Sequence, residues 1–378
     1  MKHWVPVWHQ AITENALSKR GSDKEKTVTF TIRIPFACTR IRMRFSNRCG
    51  NNPYDIKGVS VIHNNTIHYV SSQGSSVFEV PMNTVMTSDE TDVMTDGPCD
   101  LTVRICYSGL ITDGNAIEEY ADLQDGNLTD VLPESGEIHK PLFLKLLGIS
   151  NIVPALEMIE AETETDASCV VAFGDSITAM SRWTKPLSRR LEDAYHGKYV
   201  LLNSGISGNC LLYRRDGAMG KLFGREGINR FEDDVLNIPN VSTVIFALGV
   251  NDVSYITEET KGTINTDAFI KAVTDIVNQL HERNIRVAVQ TITPRLKCAR
   301  SMGKFTQEME NVRLEWNEWI RTAGIFDYVV DQEKAVKARD LQGIYFKEGL
   351  HQGDHLHPNE EGGRIMAQNY DLKQLTGE

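Results

Sequence analysis

Apolar and polar residues alternate over most of the first third of the chain. The clearest alternating runs lie at residues 28–34, 41–45 and 101–107. Successive side chains on a strand point to opposite faces, so each run predicts a β-strand with one buried face. Turn-forming residues separate these runs. Residues 1–150 are therefore predicted to form an antiparallel all-β domain, a sandwich or a jelly roll.

After Cys169 the apolar residues form unbroken runs instead. These runs lie at residues 170–173, 199–202, 244–248, 287–290 and 328–330. Helical patterns separate them; for example, Phe269, Val273 and Leu280 fall on one helical face. Strands that alternate with helices predict a parallel sheet covered on both sides, so we expect residues 169–378 to form an α/β domain. Ligands of such sheets bind outside the carboxyl ends of the strands.

A cluster of acidic residues, 157–166, lies between the two patterns. A charged run of this kind is more often solvated than functional. We therefore expect residues 151–168 to be an exposed linker, or in part a solvated helix face, rather than a metal or partner site.

Composition excludes several classes of protein. The chain has 378 residues, and 40 basic against 51 acidic residues give a net charge of −11, which disfavours a nucleic-acid partner. No stretch approaches the roughly 20 apolar residues of a membrane helix. The amino terminus lacks the apolar core of a signal peptide, and the seven cysteines contain no C-x-x-C pair. We expect a cytoplasmic protein with neither a nucleic-acid nor a membrane partner.

Four polar segments carry the candidate chemistry. They are Gly174-Asp175-Ser176, the loop 203–209, Gly249-Val250-Asn251-Asp252 and Asp354-His355-Leu356-His357. The first three directly follow predicted parallel strands, so they can meet at one rim of the sheet. In the fourth, an Asp three residues before a His can hold the imidazole tautomer during proton transfer.

Each segment alone has a simpler interpretation. The first can be a turn with a helix-capping Ser, the second a sharp turn, and the third a loop in which Asn and Asp bond local backbone. The fourth can be a polar loop, or Asp354, His355 and His357 can bind a metal.

Together, the four segments resemble the signature blocks of the GDSL, or SGNH, hydrolases over roughly residues 168–375. The resemblance implies a flavodoxin-like three-layer α/β/α domain. It implies Ser176 as nucleophile, His357 as general base and then acid, and Asp354 as the residue that orients His357. The backbone N–H groups of Ser176 and Gly208 and the side chain of Asn251 would form the oxyanion hole. We expect no cofactor and no bound metal.

The stretch 27–62 resembles the β-domain that precedes the catalytic domain in one branch of this family, in which many members are assigned as carbohydrate esterases, including acetyl-xylan-esterase-like proteins. In this chain the domain can bind carbohydrate or only pack against the catalytic domain. The resemblance implies a serine esterase that removes small acyl groups, acetyl foremost, from carbohydrate. A short-chain lipid esterase or thioesterase is the alternative, and a non-catalytic carbohydrate-binding protein is a third. The partner would be a small-molecule or oligosaccharide ester, and a homo-oligomer is compatible with the sequence.

Substrate-binding residues are predicted in the loops near the motifs. The candidates are Asp175, Tyr213, Arg225 and Arg295. The basic residues here, with Arg300 and Lys304, can grip a sugar hydroxyl or an anionic group, or they can form a solvated rim. Tyr213 and Trp183 can stack on a sugar ring or pack in the core.

Overall fold

The computed structural model describes residues 1–14, 25–108, 113–116, 122–125, 152–256, 260, 262–298 and 305–378. The chain divides into two compact units. The first comprises Met1–Ser168, Glu192–Leu202 and Asp216–Gly224, and the second comprises Cys169–Leu191, Asn203–Arg215 and Arg225–Glu378. The predicted domain limits, 1–150 and 169–378, stay a prediction.

The first unit contains antiparallel strands, as the alternating runs predicted. They are β1 (His3–His9), β2 (Thr13–Glu14), β3 (Lys26–Ile34), β4 (Cys38–Ser46), β5 (Tyr54–His63), β6 (Thr66–Val70), β7 (Phe78–Val80), β8 (Val85–Thr87), β9 (Thr91–Thr95), β10 (Cys99–Ser108), β11 (Asp113–Ala116), β12 (Asp122–Asp125), β13 (Ile152–Pro154) and β14 (Leu156–Thr163). One sheet has the order β1-β14-β4-β8, with β9 also on β4. A second has the order β12-β3-β10-β5-β6, with β7 on β5, and a small third sheet is β13-β11-β2. The expected all-β region is confirmed.

The prediction of an exposed linker is wrong for Leu156–Thr163. This acidic segment is β14, which pairs with both β1 and β4 and is buried along its whole length. Its carboxylates are neutralised by arginines at or near β4. Glu157 lies 3.1 Å from Arg44 and 2.9 Å from Arg48, and the side chain of Glu160 lies 2.7 Å from that of Arg42. Acidic charge is tolerated in the sheet because each of these carboxylates has a cationic partner.

A five-stranded sheet carries the predicted α/β fold. Its strands are β15 (Ser168–Gly174), β16 (Tyr199–Gly205), β17 (Val241–Ala247), β18 (Arg286–Gln290) and β19 (Tyr328–Val330). Their order is β16-β15-β17-β18-β19, and the pairs β15–β17, β17–β18 and β18–β19 are parallel. This is the order of flavodoxin-like sheets, and it confirms the predicted fold class. A separate hairpin consists of β20 (Lys337–Asp340) and β21 (Gly343–Phe346).

Helices connect the strands of this sheet. They are α1 (Ser176–Ala179), α2 (Thr184–Tyr195), α3 (Gly217–Leu222), α4 (Gly227–Phe231), α5 (Val250–Ser254), α6 (Thr266–His281), α7 (Gln307–Thr322), α8 (Gln332–Val336), α9 (Glu360–Gln368) and α10 (Leu372–Thr376), with a π-helical turn at Glu232–Leu236. Helix α6 buries the predicted apolar face, and its Phe269 stacks on Trp316 of α7 at 3.9 Å between ring centres. Asn265 caps α6 by accepting the backbone N–H of Ala268.

Two further observations bear on the sequence-based expectations. Within the described residues, no helix has both the length and the apolar character needed to cross a bilayer. All seven cysteines are free thiols, and Cys38, Cys106, Cys169 and Cys210 are buried.

Candidate active site

Ser176 lies where β15 gives way to α1. Asp175 caps this helix, because its Oδ1 accepts the backbone N–H of Ile177 at 2.9 Å. The strand ends in glycine for a steric reason: a Cβ on Gly174 would lie 2.1 Å from Thr178 Oγ1. Ser176 thus takes the first helical position, where a backbone N–H has no partner within the helix.

His357 links Ser176 to Asp354. Its Nε2 lies 2.9 Å from Ser176 Oγ, and its Nδ1 lies 2.6 Å from Asp354 Oδ2. All three side chains are buried. Burial by itself would raise the pKa of Asp354, but the hydrogen bond and charge of His357, together with two backbone N–H groups, hold that pKa well below its usual range. An ionised Asp354 fixes the tautomer in which Nε2 can accept the Ser176 proton.

The turn that carries Asp354 is held by His351. His351 Nδ1 accepts the backbone N–H groups of Gly353, at 3.0 Å, and of His355, at 3.2 Å, on either side of Asp354. Asp354 Oδ1 in turn accepts the backbone N–H of Leu356 and of His357. This side-chain scaffold explains why an Asp and a His three residues apart face one another.

The loop after β16 brings Gly208 towards the same strand end. The backbone N–H of Ile206 donates to the carbonyl oxygen of Gly174 at 3.1 Å, which ties this loop to the one that carries Ser176. Gly208 has a φ of +78°, in the region that favours glycine. Within the described residues, the backbone N–H groups of Ser176 and Gly208 donate no hydrogen bond, so both are available to an oxyanion.

Asn251 completes this set of donors. Its Nδ2 donates one hydrogen bond to the carbonyl oxygen of Asn209, next to Gly208, at 3.0 Å. An amide nitrogen carries two N–H groups, so a second donor remains. The neighbouring Asp252 accepts the backbone N–H groups of Leu211 and Leu212, and burial raises its pKa to about 6. These hydrogen bonds join the motif that contains Asn251 to the segment that follows the loop of Gly208.

Arg230 was not predicted as a site residue, yet it joins the first two motifs. This buried guanidinium donates to the carbonyl oxygens of Gly174, at 2.8 Å, and Ser204, at 3.0 Å. It also donates to Asn209 Oδ1 at 2.9 Å and pairs with Asp234 at 2.8 Å. In the sequence, only the spacing of four residues between Arg230 and Asp234 pointed to this ion pair, and such spacing is common on exposed helices.

The predicted substrate-binding residues take different places. Asp175 is buried as a helix cap, and burial raises its pKa to about 7. Tyr213 packs against Tyr255, with 5.1 Å between ring centres, and Arg225 pairs with Asp233 at 2.5 Å.

Arg295 is the predicted substrate-binding residue that contacts the site. Its Nη1 lies 3.5 Å from Asn251 Oδ1. Trp183 is fully buried and stacks on Tyr370, which makes it a core residue rather than a sugar platform. Arg300 and Lys304 lie outside the described residues.

One group among the described residues has the composition of a metal site. The nearest ligand atoms of Glu348, His351 and His355 all lie within 4.8 Å of one another. However, His351 Nδ1 accepts two backbone N–H groups, so the neutral ring carries its proton on Nε2. A protonated Nε2 cannot be a ligand, so the group does not fit a three-ligand metal site. Asp354 and His357, the other residues considered for a metal, pair with each other instead.

Comparisons with known proteins agree with the motifs. Residues 172–365 match the model of the GDSL-like lipase/acylhydrolase family. A comparison with curated proteins gave no match.

Several solved structures are similar to the chain. A GDSL-like lipase from Bacteroides thetaiotaomicron is 20% identical, with a TM-score of 0.38 over 56% of this chain and 88% of that one. A variant of an acetyl xylan esterase from Geobacillus stearothermophilus is 17% identical, with a TM-score of 0.42 over 56% of this chain and 95% of that one. The family model spans more than half of the chain and contains all four motifs. The chain therefore belongs to the GDSL-like lipase/acylhydrolase family.

Proposed function

We propose that the protein is a serine esterase that hydrolyses small acyl esters, acetyl foremost, on carbohydrate. One observation carries the proposal: Ser176 Oγ, His357 and Asp354 form a continuous chain of contacts of 2.9 and 2.6 Å. A serine hydroxyl becomes nucleophilic when a neighbouring base can take its proton, and these contacts supply the base and the group that orients it.

The first half of the proposed reaction forms an acyl-enzyme. Ser176 Oγ attacks the ester carbonyl carbon while its proton passes to His357 Nε2. The carbonyl oxygen becomes an oxyanion, which accepts hydrogen bonds from the backbone N–H groups of Ser176 and Gly208 and from Asn251 Nδ2. The intermediate collapses with cleavage of the bond to the alcohol oxygen, and His357 gives its proton to the departing sugar hydroxyl.

The second half releases the acid. Water attacks the acyl carbon and gives a proton to His357 Nε2, and the same donors hold the second oxyanion. Collapse breaks the bond to Ser176 Oγ, which takes the proton back, and the carboxylic acid leaves. Asp354 stays ionised throughout and stabilises the imidazolium in both halves.

The preference for a small acyl group rests on the resemblance of the four motifs and of residues 27–62 to the carbohydrate-esterase branch of the family. Tyr213 and Arg225 remain the proposed substrate-binding residues.

Rates on aryl acetate, hexanoate and dodecanoate test the acyl preference. We expect the acetate to turn over fastest and Ser176→Ala to abolish hydrolysis of all three esters. The control is Ser76→Ala, at an exposed serine of the first unit. Rates that rise with chain length would instead support a lipid esterase. Ser176→Ala with unchanged activity would remove Ser176 from the mechanism.

Mass spectrometry tests the carbohydrate. Acetylated xylo-, manno- and gluco-oligosaccharides are incubated with the protein, and loss of each acetyl group is recorded. We expect Ser176-dependent release from at least one series. Rapid hydrolysis of aryl acetate without release from any oligosaccharide would argue against a carbohydrate substrate. The cytoplasmic location and the oligomeric state stay predictions.

A further inference from the structure

Arg295 is a buried cation that forms no close ion pair with a described carboxylate, although its charge opposes the rise in the pKa of the buried Asp175. It follows β18 at the carboxyl end of the parallel sheet, and only 4% of its surface is exposed. Within the described part of the chain it forms no ion pair, and its Nε is buried without a hydrogen-bond partner. The ring of Phe305, 6.0 Å from the guanidinium carbon, gives only weak compensation. Burying a charge costs free energy unless the charge is paired and hydrogen-bonded.

Among the described residues of the second unit, two other arginines are buried, and both pair directly with carboxylates. Arg230 pairs with Asp234 at 2.8 Å, and Arg313 pairs with Glu310 at 2.5 Å and with Glu333 at 2.6 Å. Arg295 has no carboxylate at such a distance, and it lies beside the proposed oxyanion hole.

The contact of Arg295 with Asn251 places its charge at the reacting centre. Arg295 Nη1 lies 3.5 Å from Asn251 Oδ1, and Asn251 Nδ2 donates to the carbonyl oxygen of Asn209 at 3.0 Å. The amide is thus held at both ends, with its oxygen towards the cation. A cation at the oxygen end makes the Nδ2 hydrogens more positive, which strengthens any hydrogen bond that they donate.

We propose that Arg295 is a positioning residue of the oxyanion hole, holding the Asn251 amide by its oxygen and lending it positive charge. This inference rests on the proposed function. The tetrahedral oxyanion adds negative charge where the polarised Asn251 amide donates its hydrogen bond. The interaction is stronger in the transition state than in the ground state, so it lowers the barrier without tightening substrate binding.

A double-mutant cycle on aryl acetate tests this role. We expect Arg295→Met to lower kcat about 10- to 100-fold, a fraction of the loss expected for Asn251→Ala. KM should stay within about threefold, because the contact acts on the transition state. Arg295→Lys should recover part of the rate. The control, Arg364→Met, removes an exposed cation of α9 and should leave kcat unchanged.

The combined variant decides between positioning and a merely structural role. If Arg295 acts through Asn251, Arg295→Met should slow the Asn251→Ala protein by no more than about threefold. Independent losses that multiply in the double variant would overturn the proposal. A rise in KM confined to anionic esters would also overturn it, since Arg295 would then bind substrate directly.

Two precautions keep the result interpretable. If Arg295→Met does not fold, as judged by circular dichroism, Arg295→Gln takes its place in the same cycle. A wild-type protein without Ser176-dependent hydrolysis would refute the proposed function, and this inference with it. Ser176-dependent hydrolysis with unchanged kcat in the Arg295 variants would refute this inference alone.

Discussion

The guanidinium of Arg230 donates a hydrogen bond to Asn209 Oδ1 over 2.9 Å. The backbone carbonyl oxygen of Asn209 accepts a hydrogen bond from Asn251 Nδ2, and Asn209 Nδ2 donates one to the carbonyl oxygen of Arg225 at 2.7 Å. Asn209 therefore lies between a buried cation and the amide of the proposed oxyanion hole. The hydrogen bonds of Asn209 hold the backbone next to Gly208.

Replacing Asn209 by Ala should damage both stability and catalysis. The buried Nε of Arg230 would lose its acceptor, which costs about 1–3 kcal/mol of unfolding free energy. Looser positioning of Gly208 and Asn251 should lower kcat about tenfold. Chemical denaturation and initial rates on aryl acetate measure the two effects. Asn229→Ala, at an exposed position of α4, is the control, and equal losses in the two variants would contradict the assigned role.

Replacing Asp354 by Asn should nearly abolish activity while the fold persists. Asn can donate to His357 Nδ1, which would favour the tautomer that cannot accept the Ser176 proton at Nε2. We expect kcat to fall on the order of a thousandfold or more. Asp216→Asn, at an exposed site, should have no effect. Activity of the Asp354 variant within tenfold of wild type would exclude Asp354 from the triad.

Asp175 should make the protein less stable as the pH rises. Its folded-state pKa, about 7, lies above the ordinary value because of burial. The folded protein thus binds this proton more tightly than the unfolded chain, and the stability contributed below pH 4 is lost between about pH 4 and 7.

Asp175→Asn tests this pH dependence while keeping the helix cap, because Asn caps helices as well as Asp does. The unfolding free energy of the variant, relative to that of the wild type, should increase by on the order of 2–4 kcal/mol from pH 4 to pH 8. Thermal melts across this range measure the difference. A constant difference between the two proteins would mean that Asp175 does not titrate there.

His351 should be replaceable by Asn but not by Leu. Its Nδ1 accepts two backbone N–H groups on either side of Asp354, and Asn Oδ1 can occupy the position of that nitrogen. Leu offers no acceptor, so His351→Leu should cost about 1–3 kcal/mol and reduce kcat about tenfold. His351→Asn should keep most of the activity. Equal activity of the two variants would show that these bonds do not position Asp354.

The sequence predicted the parts of this protein that depend on local pattern. Unbroken apolar runs identified the parallel strands, and motif order predicted that Ser176, Asn251 and His357 meet at one rim. Arg230 and His351 could not be found in this way, because their roles depend on carbonyl and N–H groups that only the folded backbone brings near them. The contact of Arg295 with Asn251 could not be predicted either, since it depends on tertiary packing.

The acidic segment was misjudged for the same reason, and it yields the last prediction. Charge alone indicated solvent, but the alternating arginines of β4 supply partners across the sheet, and Glu157 is fully buried between Arg44 and Arg48. Removing one member of a buried ion pair leaves an uncompensated charge, so Glu157→Ala should cost about 3–5 kcal/mol of unfolding free energy. Glu164→Ala, at an exposed position just beyond β14, should cost little. Urea denaturation of both variants measures the contrast. If Glu157→Ala were as stable as the control, the carboxylate would be dispensable in the sheet, and the arginines of β4 would have to be solvated without it.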